Sequence, residues 1–161
     1  MKDSKPAKDV FTAALDSLSR SNLSEFELTS RLKRKDYISD EISEAVEKLK
    51  GYGYLDDRKV VESLLRKAER DCRGPQWLDA HLYKKGISQV LRDEGRDKLL
   101  ELSDGLALEA LEIRVKKIEG DLQEEKARLY RFLAGRGFLP ESIRRAFDTI
   151  EKQRCNDEHQ Q

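Results

Sequence analysis

The sequence predicts an all-α protein, built as three tandem three-helix repeats stacked into an elongated, curved body. Three observations predict it. A phrase that reads as the end of a helix occurs three times, as "LTSRLKRKDY" from Leu28, "LDAHLYKKGI" from Leu78 and "LYRFLAGRGF" from Leu129, with copies 50 and 51 residues apart. Each copy lies between two further stretches of helical periodicity. Charged residues make up 40% of the 161-residue chain and aromatics 7%, which suits exposed amphipathic helices better than a thick sheet core.

In unit one, residues 10–58, Phe11, Leu15 and Leu18 form the stripe of a first helix. Ser24 and Glu27 then make an S-x-x-E capping box that starts the second. Leu28 and Leu32 share one face of it, because residues four apart stand one above the other. Lys35, Asp36 and Tyr37 close the phrase, and Asp tolerates the left-handed backbone expected there better than most residues. Ile42, Val46 and Leu49 carry the third helix. Tyr54 is expected in the junction core between units one and two, and Asp56-Asp57 reads as the cap of a helix before Val60.

In unit two, residues 59–104, Val61, Leu64, Leu65 and Ala68 make the first stripe. Gly74-Pro75 puts proline at the first position of the next helix. Leu78 and Leu82 fill the core positions, and Lys85, Gly86 and Ile87 end the phrase, with glycine free to take the left-handed conformation past the last turn. Leu91 and Leu99 mark a weaker third helix, since Gly95 between them costs roughly 1 kcal/mol against alanine.

In unit three, residues 105–152, Leu108, Leu111, Val115 and Ile118 form the first stripe. "QEEK" at 123–126 places acids at a helix start, where the macrodipole favours them. Leu129, Leu133, Arg136, Gly137 and Phe138 repeat the phrase in register, and Ile143, Phe147 and Ile150 follow Pro140 in a last helix. Residues 1–9 and 153–161 read as flexible tails. A unit of this size buries too little surface to stand alone, so neighbours must share apolar faces.

The chemistry points to binding. Ser, Cys and His occur without a nucleophile elbow, and "GYG" at 51–53 lacks the lysine and hydroxyl residue of a P-loop, so no catalytic residues are expected and the chain is not read as an enzyme. Cys72, Cys155, His81 and His159 stand at no metal-ligand spacing, so neither metal nor other cofactor is expected, and the cysteines read as free thiols. No run of 18 apolar residues spans a membrane, and "MKDSKPAKDV" lacks the apolar core of a secretory signal, which together suggest the cytoplasm.

Net charge is zero, with 32 Lys and Arg against 32 Asp and Glu, so any contact with a polyanion must use a local patch. Bases at 31–35 and acids at 40–47 sit where helix macrodipoles favour them. Unit three differs. Its residues 126–147 hold Lys126, Arg128, Arg131, Arg136, Arg144 and Arg145 against Glu141 alone. Arg144 and Arg145 lie early in a helix, where the macrodipole disfavours cations, so a surface for an anionic partner is the better reading. Arg66, Arg70 and Arg73 share one helix face as a second basic run, either for a partner or for Glu62, which can pair with Arg66. Lys84 and Lys85 add cations at the end of the middle phrase. Trp77, the one tryptophan, lies beside the core stripe and either packs between repeats or serves as a partner hot spot. Tyr130 lies off the Leu129–Leu133 stripe beside Arg131, and reads equally as a ring that stacks on a base or packs on a partner and as a half-exposed surface tyrosine.

The stretches "GYGYLDD" (51–57), "RGPQWLDAHLYKKGIS" (73–88) and "KARLYRFLAGRGFLPESIRRAF" (126–147) resemble the RecX family of bacterial recombination regulators, over about residues 10–152. That family is built of three tandem three-helix units. Where it usually has a glycine two residues before "GP", this chain has Cys72, and where it usually has basic residues after "GP", this chain has Gln76 and Trp77. Gly95 makes the middle unit's third helix atypical. The resemblance implies a monomeric regulator that binds the RecA recombinase, often in the groove of its filament on DNA, and inhibits ATP hydrolysis and strand exchange or promotes filament disassembly. Two other readings stay open: a module that binds nucleic acid without RecA, and a helical scaffold for another protein.

Overall fold

A computed structural model describes residues 8–118 and 120–158, with the side chains of 157 and 158 excepted. These residues form eight helices: α1 (Val10–Arg20), α2 (Glu25–Lys33), α3 (Ser39–Gly51), α4 (Asp57–Arg70), α5 (Pro75–Lys84), α6 (Gln89–Val115), α7 (Leu122–Gly135) and α8 (Pro140–Glu158). The start signals act as their chemistry requires. Asp9 caps α1 by accepting from the Thr12 amide, Ser24 and Glu27 form a reciprocal capping box on α2, and Asp56 caps α4.

Among the described residues the main helix packing falls in consecutive triples: α1–α3, α4–α6 and α6–α8. Three cores therefore lie in a row. Leu28, Leu32, Ile42 and Leu49 centre the first, Leu78, Leu82 and Leu99 the second, and Leu111, Leu129, Leu133, Phe138 and Ile143 the third. Half-buried Leu106 packs against both the second and the third.

Eight helices stand where the repeat pattern suggests nine, because α6 serves two units. Its buried positions, Gly95, Leu99, Ser103, Ala107, Ala110 and Leu111, keep helical spacing without a break. Residues 104 and 105, which the repeat register puts at a unit boundary, lie inside this helix. Nothing between 99 and 111 is strong enough to stop it: one Gly and one Ser weaken a helix by about 1 kcal/mol or less each, and neighbouring packing outweighs that. Gly95 has a positive reason as well, since a Cβ there would come 2.9 Å from Val61 Cγ1 and push α6 off α4. At the C-terminus α8 carries residues 153–158, which the sequence reads as tail, while residues 1–7 and 159–161 of the expected tails lie outside the described residues.

The three recurring phrases turn out to be joints. The middle helices of the units run head to tail. After α7, the carbonyls of Arg136 and Gly137 accept from the amides of Gly74 and Gln76 at the start of α5, at 2.9 and 3.1 Å. The N-cap Gly74 has no side chain to cap α5, and the preceding helix in the row supplies the acceptors instead. After α5, the carbonyl of Lys85 accepts from the Ser24 hydroxyl at the start of α2. Close approach explains the glycines. A Cβ on Gly137 (φ +87°) would lie 2.3 Å from the Trp77 amide nitrogen, and one on Gly86 (φ +69°) would lie 2.4 Å from Phe26 Cγ. Asp36 holds the same left-handed backbone (φ 63°) at the exposed end of α2.

Gly137→Ala is expected to lower the unfolding free energy by roughly 2–4 kcal/mol, combining left-handed strain with overpacking. Gly105→Ala, in exposed α6 with nothing within 4 Å of the added Cβ, is expected to raise it by up to about 1 kcal/mol. Denaturant melts of the two variants check the contrast.

Candidate interaction surface

The basic and aromatic residues singled out by the sequence divide into three groups in space. The first holds units together. Arg136 donates from Nε to the Cys72 carbonyl at 2.9 Å and from Nη2 to the Asp71 carbonyl. Burial, and then the nearby Arg73 guanidinium, hold its pKa below the usual arginine value. Cys72 sits at φ 47°, a left-handed backbone that explains why glycine suits this place, and its side chain enters the third core, where burial pushes the thiol pKa up. Arg73 lies over Trp77 at 5.8 Å from the ring centroid, and Trp77 stacks on His81 at 4.0 Å. The His81 ring Nδ1 lies 2.8 Å from the Trp77 carbonyl. Trp77 is thus half-buried and packed between units two and three, the first of its two sequence readings. Lys85 pairs with Glu27 at 2.9 Å across the joint between units one and two, with both side chains less than a third exposed.

The second group is neutralised on the surface. The six-to-one excess of cations in 126–147 is a property of that stretch alone, because helices folded beside it bring carboxylates. Arg144 pairs with Glu141 at 2.6 Å and Asp148 at 3.0 Å. Arg145 pairs with Asp104 of α6 at 2.6 Å and with Glu141 at 3.2 Å. The Arg144 hydrogen bond holds the Glu141 carboxyl below its usual pKa, and hydrogen bonds from Ser142 and then Arg145 do the same for Asp104. The sequence favours an anionic partner for these two arginines; in the fold three carboxylates of the chain, Asp104, Glu141 and Asp148, also face them. Lys126 pairs with Glu151, Arg128 with Glu125 and Arg70 with Asp71.

The third group is open. Arg66, Lys84 and Arg131 are exposed and have no ion pair among the described residues. Tyr130 is 41% exposed and, with Gln123, Lys126, Ala127 and Arg131, lines an open depression of about 640 Å³ on α7.

Sequence reasoning missed the aromatic cluster at the first unit boundary. Tyr54 does not enter a junction core but is 63% exposed, and its neighbour Leu55 is buried in the core of unit one. Gly53, with φ +75°, turns the chain so that Tyr54 meets Tyr52 edge-on at 6.3 Å, and Tyr52 meets Phe11 at the same distance. Two tyrosines spaced i, i+2 across a glycine were the available signal. Among the described residues no group of His, Cys, Asp and Glu could hold a metal ion, and no helix is long and apolar enough to cross a membrane.

This arrangement has relatives. Family models of the first and third three-helix domains of RecX match residues 11–49 and 104–147. The chain is 31% identical over 147 residues to a "Regulatory protein RecX" of Chlorobium phaeobacteroides (strain BS1), covering 89% of this chain and 94% of that one. It is also 31% identical over 130 residues to a "Regulatory protein RecX" of Clostridium botulinum (strain Alaska E43 / Type E3), of whose length it spans 61%. The fold is shared with the crystal structure of RecX from Lactobacillus salivarius, at TM-score 0.77 and 23% identity over 88% of this chain and 94% of that one.

Replacing Arg144 and Arg145 together by Glu would set like charges against Asp104, Glu141 and Asp148. The wild-type pairs contribute at neutral pH and fade as pH falls through the lowered pKa values of Glu141 and Asp104. The double variant is expected to melt below the wild type near neutrality, with the gap closing in acid and in high salt, as thermal melts at several pH values would read.

Proposed function

Since the chain belongs to the RecX family, we propose that it binds the RecA recombinase assembled on DNA and lowers its ATPase and strand-exchange activity in recombination and repair. The observation that carries this reading is the match to a regulatory relative along nearly the whole of both chains. The architecture supports it. Three cores in a row make a body that can follow a helical groove and touch several protomers, so that modest single contacts combine. Arg66, Lys84, Tyr130 and Arg131 are the residues of the sequence-predicted set that remain open to a partner. The protein acts by occupying a surface and not by catalysis, as a monomer in the cytoplasm.

Titrating the protein into RecA hydrolysing ATP on single-stranded DNA is expected to depress the hydrolysis rate in a saturable way. An unchanged rate at saturating, folded protein contradicts the proposal.

A further inference from the structure

The three cores are joined unequally. None of the principal helix pairs among the described residues joins α1–α3 to α4–α6, whereas α6 packs on α4, α5, α7 and α8 alike. The first core is complete in itself, because its side chains all come from residues 10–55. It has no side chain in common with the second core, while Leu106 packs against both the second and the third. The chain passes from unit one to unit two at one point. Leu55 is anchored in the first core and α4 begins at Asp57, so Asp56 alone lies between them. The Asp56 backbone is extended (φ −153°, ψ 110°), in a broad basin that accepts rotation without strain.

The other bridges between these two units are mostly polar. Lys85, just past the end of α5, donates to both carboxylate oxygens of Glu27 on α2, at 2.9 and 3.0 Å. The Lys85 carbonyl accepts from the Ser24 hydroxyl. The Glu25 amide, at the start of α2, donates to Asp57 at 2.9 Å. Lys59 donates to the Gly53 carbonyl at 3.2 Å on the exposed surface. Phe26 covers Gly86 but keeps 57% of its own surface in water. Polar contacts are exchanged for contacts with water at a small net loss, and domains joined without a large apolar interface move relative to one another.

We propose that unit one is a latched arm. In the closed form Lys85 and Asp57 grip the start of α2 and hold unit one in the row. In the open form those groups bond water instead, and α1–α3 turn as one body about Asp56 while units two and three stay fixed to each other. Such a hinge needs only an element-terminal residue that absorbs the rotation. The local structure survives opening. Ser24 and Glu27 form the capping box of α2 within unit one, so α2 keeps its cap when Lys85 leaves. Asp57 favours release, for burial raises its pKa above the ordinary carboxylate value. Glu25 and Asp56 add to that rise, while the Glu25 amide and Lys50 oppose it. Its charged form is thus held in the joint at a cost that opening relieves. For a body lying along a helical groove, one adjustable joint lets the row follow a pitch it does not set. That use rests on the function proposed above, whereas the latch itself does not.

The test is a set of amide residual dipolar couplings from the whole protein, weakly aligned in a neutral stretched gel, which report the orientation and motion of each unit. Wild type is compared with Lys85→Gln/Asp57→Ala, with the milder Lys85→Gln and with Lys85→Arg, which keeps the pair to Glu27. The control is Lys126→Gln/Glu151→Ala, which breaks an ion pair inside unit three and leaves net charge unchanged, as the double latch variant does. In wild type one common alignment is expected to fit all three units. In the double latch variant the alignment of α1–α3 should fall by about a quarter or more relative to α4–α8, as an order parameter in the flexible range implies. Helices α4–α8 should keep a common fit. Lys85→Gln should move in the same direction by less, and Lys85→Arg and the control should stay with wild type. Unchanged amide shifts at Leu28, Leu32 and Leu49 check that the first core stays folded, and if the double variant loses it, Lys85→Gln decides. Full alignment of α1–α3 in both latch variants overturns the proposal, as does a wild type whose α1–α3 already align less than the rest. Equal loss in the control, or equal separation of units two and three, also overturns it. Because no recombinase is present, failure here leaves the regulator standing, and an unchanged rate of ATP hydrolysis leaves the latch standing.

Discussion

The architecture depends on one close contact, the approach of a helix end to the start of the next middle helix in the row. At the joint between units three and two two glycines meet, for a Cβ on Gly74 would lie 2.3 Å from the Gly137 carbonyl oxygen and one on Gly137 equally near the Trp77 amide. Only side-chain-free residues allow the carbonyls of Arg136 and Gly137 to reach the open amides of α5. Each middle helix thereby finishes the hydrogen bonding of another, and three small cores become one row.

The two joints are unequal. Units two and three share α6, two backbone hydrogen bonds, the Arg136 clamp and a core that takes in Cys72. Units one and two meet through polar contacts: Lys85 with Glu27, Ser24 with the Lys85 carbonyl, and the Glu25 amide with Asp57 at 2.9 Å. Phe26 against Gly86 adds an apolar contact there but stays 57% exposed. Ionic contacts of this kind weaken with salt, whereas burial of apolar area is not screened, so the joint of unit one is the more salt-sensitive of the two.

Much of this was legible in the sequence. The leucine pairs, the capping box, Gly74-Pro75 and the left-handed Asp36, Gly86 and Gly137 are local signals, and each sits where local physics puts it. What was illegible depends on residues far apart in sequence. The glycines looked like helix caps, and their role against Phe26 and Trp77 needed the neighbouring unit. Arg145 looked unpaired because Asp104 lies 41 residues away. Tyr54 was expected in the junction core, and the turn at Gly53 leaves it exposed while Leu55 enters the core of unit one. The length of α6 was hidden because a lone glycine marks a helix end in one context and is carried through in another. The candidate surface was therefore legible as chemistry and illegible as geometry.

Regulation by a protein of this shape requires that the row behave as one body under load, which places the weight on the joints. The most direct measurement is amide hydrogen exchange, by NMR, at Gly74 and Gln76. Amides at the start of a helix normally exchange freely, for they have no partner within it. Here their partners are Arg136 and Gly137, so both are expected to be protected to a degree comparable with the interior of α5. Exchange at the rate of an unstructured peptide, in a protein whose α5 interior stays protected, would contradict the head-to-tail row.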